Sequence, residues 1–121
     1  MTISTVLSAS SLDSNTVKNA QGEDLGNIKD IMIDTADNSI AYYVLSFGGI
    51  LGMGDKLFAI PSEALTLDTN EECFRLNVPK EKLENAEGFD KDNWPNFADQ
   101  SFRNSIDNYY GVSRTNTAQA A

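Results

Sequence analysis

The order of apolar and polar positions along the chain predicts a run of short strands followed by two helices. Ser10 to Asn19 reads as a first strand through Leu12 and Val17, and Gln21-Gly22-Glu23-Asp24 as the turn that ends it. Leu25 to Thr35 is a second strand. Its apolar positions (Leu25, Ile28, Ile31 and Ile33, with Met32 opposite) slip in phase between Ile28 and Ile31, as a bulge or partial cover of the outer sheet face would produce. Asp37-Asn38 turns the chain into Ile40–Phe47, which is apolar on both faces and rich in strand formers, the pattern of a central or closed strand. Leu57 to Ile60 is the next strand. Pro61 has no N–H to give a ladder and marks a strand end or corner. Leu65 and Leu67 share one face of a short fifth strand, Asp68 to Glu72 is a polar turn, and Cys73 to Val78 is a sixth strand. Six short strands joined by short turns point to a barrel or a sandwich.

The pattern changes at Pro79. Lys80 to Glu87 reads as a short helix opened by that proline and stopped by Gly88, and Phe89 to Pro95 as an ordered connector whose aromatic rings need packing partners. Asn96 to Tyr110 is a second helix with Phe102, Ile106 and Tyr109 at i, i+4 and i+7, a one-sided stripe for docking on a barrel or a partner. Between the third and fourth strands lies Gly48-Gly49-Ile50-Leu51-Gly52-Met53-Gly54. Three large apolar residues in a loop either cap one end of a barrel or meet a partner, so Ile50, Leu51 and Met53 join Phe102, Ile106 and Tyr109 as the candidate contact residues.

Composition narrows the chemistry. The chain has 121 residues, enough for one domain with a real core, and 40% of them are hydrophobic. Nine basic against eighteen acidic residues leave a net charge of −9, which disfavours nucleic acid and anionic membranes as partners. No apolar run approaches the ~20 residues of a membrane span, and Met1 to Ser10 lacks a basic start and an apolar stretch, so the expected location is cytoplasmic. There is no histidine, which removes the commonest general base and metal ligand. The single Cys73 excludes an internal disulfide, and with no histidine to activate it the thiol is a strand residue.

The motifs that invite chemistry fail on inspection. The glycine loop runs into Asp55, Lys56 and a strand, where a phosphate site needs a helix N-terminus. Asp90-Lys91-Asp92-Asn93-Trp94 begins like a calcium loop, but Pro95 and Ser101 stand where the EF-hand pattern needs glycine and glutamate. Asp30, Asp34 and Asp37 put carboxylates near one turn, where hard-cation sites need several converging oxygens; acids at strand ends are ordinarily solvated. No activated nucleophile is visible, and the expectation is no enzyme, no cofactor and no metal.

Taken together, Gln21-Gly22-Glu23-Asp24-Leu25-Gly26-Asn27-Ile28-Lys29-Asp30, Ile33-Asp34, Ile40 to Gly49 and Gly54-Asp55-Lys56-Leu57-Phe58-Ala59-Ile60-Pro61 resemble the PRC-barrel family in order and spacing. The likeness covers about Ser10 to Val78, and Gly88 to Pro95 resembles an extension common in stand-alone bacterial members. The resemblance implies a small six-stranded antiparallel β-barrel that binds other proteins and has no catalytic centre. The expectation is a chain without the transmembrane helix of the photosynthetic reaction-centre H subunit and without the N-terminal domain of a ribosome-maturation factor, so neither role is carried over.

The expected organisation is a flexible N-terminus (1–9), a barrel (10–79), a helical extension packing on the barrel or a partner (80–111) and a disordered tail (112–121). The expected function is a non-enzymatic protein-interaction module that self-associates, a dimer being favoured. The alternative is a small-ligand- or metal-responsive module using the barrel mouth and glycine loop.

Overall fold

The computed structural model describes residues 16–47, 56–68 and 73–112. Six strands and two helices follow in chain order: β1 Thr16–Lys18, β2 Asp24–Asp34, β3 Ser39–Phe47, β4 Lys56–Pro61, β5 Leu65–Asp68, β6 Cys73–Leu76, α1 Lys80–Glu84 and α2 Gln100–Tyr109. They form one sheet in the order β4-β3-β2-β1-β6-β5. The chain is mainly β, as its pattern predicts.

Two details differ from an all-antiparallel closed barrel. First, β1 and β6 pair in parallel, Val17 opposite Phe74 and Lys18 opposite Arg75. The cause lies at Pro61. There the chain turns a corner through the 3-10 turn Ser62–Ala64 instead of reversing in a hairpin, so the β5–β6 hairpin comes back beside β1 with β6 in the same direction. Second, β4 and β5 are the two ends of the strand order and do not pair with each other among the described residues. The sheet is a curled half-barrel.

The curl follows from chain length. In a flat sheet β4 and β5 would lie about 24 Å apart, five spacings of roughly 4.8 Å. The step from Pro61 to Leu65 spans at most about 14 Å, so the two ends must bend toward each other. The rings of Tyr43 on β3 and Phe74 on β6 confirm it: their centroids are 5.3 Å apart although two strands lie between them in the sheet.

Inside the curl, Val17, Leu25, Ile28, Leu45, Phe58, Ile60, Leu65, Phe74 and Leu76 form the main core, and Leu83 and Ala86 close on it from α1 and the turn after it. Every strand contributes, which makes the interior contiguous. The phase slip in β2 is a bulge: the β2–β3 register shifts between Ile28 and Asp30, and again between Met32 and Ile33. The extra residue lets Ile28 and Ile31 both reach the inner cluster at a spacing of three, and a separate register shift against β1, between Val17 and Lys18, does the same for Leu25 and Ile28.

A second cluster lies on the outer face of β3 and β4. Ala41, Tyr42, Ala59 and Ile106 are its buried members, with Met32, Phe89, Phe97, Phe102 and Tyr110 packed against them. This is why β3 reads as apolar on both faces. Both helices are shorter than their periodicity predicts. The first ends at Glu84 because Ala86 is drawn into the core. The second starts at Gln100, where Asp99 caps it by accepting from the Ser101 N–H at 2.9 Å.

Candidate interaction surface

The stretch between the helices is an ordered strap on the sheet edge. Phe89 exchanges two backbone hydrogen bonds with Leu57, its N–H donating to the Leu57 carbonyl at 2.8 Å and the Leu57 N–H donating back at 2.9 Å. That bridge closes the free edge of β4 at Leu57, and Pro61 offers no donor at the other end of the strand. Past the bridge, the Asn93 N–H donates to the Asp90 carbonyl at 3.0 Å. The Asn96 side chain accepts from the Ala98 N–H at 3.0 Å, and the Asp99 N–H returns to the Asn96 carbonyl at 3.1 Å.

These turns stack aromatic rings outward from the sheet. Phe97 lies among the rings of Tyr42, Phe102, Phe89 and Trp94, at centroid distances of 5.7, 5.5, 6.1 and 6.2 Å. Trp94 meets Phe89 edge-on at 5.1 Å. The base of the ridge, Tyr42, is fully buried, and its tip, Trp94, is 38% exposed. Among the described residues the other large hydrophobic left exposed is Ile33, on β2.

Helix α2 is clamped beside the ridge. The Arg103 guanidinium lies 5.8 Å over the Tyr42 ring and pairs with Asp34 at 3.5 Å. Burial alone would make that guanidinium easier to deprotonate, but the Tyr42 hydroxyl and the Asp34 carboxylate outweigh it and hold its pKa above the ordinary value. The Tyr42 O–H donates to Asp107 Oδ1 at 3.4 Å. At the end of the helix the Tyr109 O–H donates to the Lys82 carbonyl at 2.6 Å, with the Lys82 ammonium 4.5 Å over the Tyr109 ring.

The candidate contact residues thus divide. Ile50, Leu51 and Met53 lie outside the described residues. Ile106 is buried on the chain's own sheet, Phe102 is half-buried beside it, and Tyr109 packs against the main core. Asp30, Asp34 and Asp37 each accept from a local backbone N–H, Asp30 from Ile31 within β2 and Asp34 and Asp37 from Ala36 and Ser39 in the β2–β3 turn. The Ser39 hydroxyl and N–H hold the Asp37 carboxyl below the usual carboxylate range. Among the described residues no three His, Cys, Asp or Glu side chains form a metal-binding group.

Sequence reasoning missed the polar hub at Asn19, the one buried polar residue among those described. Its Oδ1 accepts from the Gln21 and Glu23 N–H groups at 3.1 and 2.9 Å, and its Nδ2 donates to Glu23 Oε1 at 2.7 Å and to the Val78 carbonyl at 3.1 Å. Arg75 adds a bond to the Asn19 carbonyl at 3.2 Å and pairs with Asp68 at 3.3 Å. Every site on the Asn19 side chain is used to pin the β1–β2 turn to itself and to the segment that follows the neighbouring β6. The hub is architecture.

The chain matches the family model of the PRC-barrel domain over residues 4–83. No curated protein matches it. Apart from its base, Tyr42, the aromatic ridge lies beyond the matched segment, as does α2, laid across the outer face of the sheet. No described helix is long and apolar enough to cross a membrane.

Proposed function

The chain belongs to the PRC-barrel family, and on that premise we propose that it is a non-enzymatic protein-interaction module whose contact surface is the aromatic ridge of its extension. Trp94 carries the reading. An indole is worth well over 1 kcal/mol when buried, about 1.5–3 kcal/mol for a large side chain, yet this one stands 38% exposed on an ordered aromatic base. Such half-buried aromatic anchors are where interfaces concentrate their binding energy. The non-enzymatic part of the reading is supported by the lack of histidine in the sequence and by the burial of its single cysteine in β6.

Affinity capture from the native host, comparing wild type with Trp94→Ala, tests the reading. A partner retained by the wild type and lost by the variant, with identical circular dichroism, supports it. Equal capture by both sinks the ridge as the contact surface. Self-association belongs to the same proposal: light scattering at rising concentration should reach twice the chain's mass, and a strict monomer removes that part.

A further inference from the structure

We propose that the Trp94 ridge receives an arginine-bearing basic segment of a partner protein, an inference that rests on the interaction reading above. Three observations carry it. The ridge runs through a one-sidedly acidic stretch: between residues 84 and 99 stand Glu84, Glu87, Asp90, Asp92 and Asp99 against Lys91 alone, and all six are exposed. At its tip is an indole, the best ring for a cation to lie on, and arginine is the cation that most often does so.

The third observation is that described cations of the chain lie over three of its other rings and not over this one. Lys82 lies over Tyr109, Arg103 over Tyr42 and Lys56 over Phe58. Trp94 has an exposed ring, and no described lysine or arginine of the chain lies over it. A guanidinium supplied by another protein meets the indole and the exposed carboxylates of the same stretch, which accept its N–H groups in pairs. An uncharged apolar segment would cover the indole but leave the carboxylates beside it to be desolvated, which weakens that alternative. The net charge of −9 steers the same kind of partner from a distance.

Trp94 is the chain's single tryptophan, so its emission reports the site directly. The full chain is titrated with three peptides of one length that differ only in carrying arginine, glutamine or glutamate at the same positions. The arginine peptide is expected to shift Trp94 emission and to bind at least about tenfold tighter than the glutamine peptide, the scale of a cation–π contact with charge assistance. Its affinity should fall with added salt, and the glutamate peptide should not bind. Asp90→Asn with Asp92→Asn, both at exposed positions, should lower arginine-peptide affinity several-fold and leave circular dichroism unchanged. With a labelled peptide followed by anisotropy, Trp94→Ala should abolish the binding.

Equal affinity for the arginine and glutamine peptides overturns the basic partner and leaves an apolar ridge interface standing. Arginine-peptide binding that survives Trp94→Ala overturns the site. If no peptide binds while host capture still depends on Trp94, the partner chemistry is wrong and the interaction reading survives. If capture is also indifferent to Trp94, both fall.

Discussion

Phe89 and Leu57 hold each other by two backbone hydrogen bonds, and Gly88 sits beside that bridge with no room for a side chain. A Cβ at position 88 would lie 2.6 Å from the Leu57 carbonyl oxygen and 3.0 Å from the Phe58 ring. The obstacle is backbone inside a strand, which cannot step aside. Gly88→Ala should therefore cost about 1–3 kcal/mol, as overpacking does, and should loosen the strap that carries the ridge. Urea denaturation would measure the first effect, and faster proteolysis between residues 84 and 99 the second. A variant with wild-type stability and cleavage would show that the strap does not depend on this close approach.

Gly26 presents a sharper case. It occupies β2 at φ +120°, and a Cβ there would run into the Ser46 carbonyl oxygen on β3. Backbone strain and collision act together in Gly26→Ala, so a loss of about 2–5 kcal/mol is expected. Thermal unfolding decides: a change in midpoint of less than a few degrees would contradict the close contact between β2 and β3.

Asn19 is the test of the buried hub. Asn19→Ala strips the partners from the Gln21 and Glu23 N–H groups and from the Val78 carbonyl, a loss of about 2–4 kcal/mol. Asn19→Asp keeps the shape but replaces a donor by an oxygen facing Glu23 and the Val78 carbonyl. It should be at least as harmful near neutral pH and recover part of the loss in acid, where a protonated carboxyl donates again. Equal stability of Asn19→Asp at pH 4 and pH 7, relative to wild type, would count against the assigned bond directions.

The pair between Arg103 and Asp34 should matter little by itself. Both side chains keep about a quarter of their surface in water (24% and 29%), and pairs of that kind contribute roughly 0–1 kcal/mol. A double-mutant cycle with Asp34→Asn and Arg103→Gln should give a coupling below about 1 kcal/mol that shrinks with salt. A larger, salt-insensitive coupling would mean that the clamp is drier than its exposure indicates.

Tyr110 makes stability depend on alkaline pH. It packs against both clusters, and burial, with Tyr109 adding to it, holds its hydroxyl well above the ordinary tyrosine value. Burial raises Tyr43 in the same direction. Below about pH 10, the ordinary tyrosine value, folded and unfolded chains both carry the neutral phenols and stability is fully present. As pH rises past that value the unfolded chain loses protons first, so stability falls. Tyr110→Phe should remove part of that decline and leave the share due to Tyr43. An unchanged decline would remove Tyr110 from the account.

Much of this was legible in the chain. The turn at Asp37-Asn38, the corner at Pro61, the double-sided apolarity of Ile40–Phe47 and the helix opening at Pro79 all rest on local chemistry, and each stands where the pattern puts it. The bulge in β2 was visible as a broken period, but two explanations fitted it until the β2–β3 register was known. Asn19 was illegible because its meaning depends on a carbonyl 59 positions away. Trp94 was visible as a ring in search of packing; that Phe89 and Phe97 would support one side of it and leave the other in solvent was not.

By itself the sequence determined the number and kind of elements, the family resemblance and the acidic, histidine-free chemistry, because propensity, periodicity and charge are properties of neighbours in the chain. Only the tertiary structure decided that β6 runs parallel to β1, that the sheet curls without pairing its ends, and that the extension lies on the outer face with an indole at its tip. Those facts depend on groups far apart in sequence: a three-residue corner pulling two sheet ends together, and a backbone bridge from Phe89 to Leu57. No local pattern encodes where such partners meet.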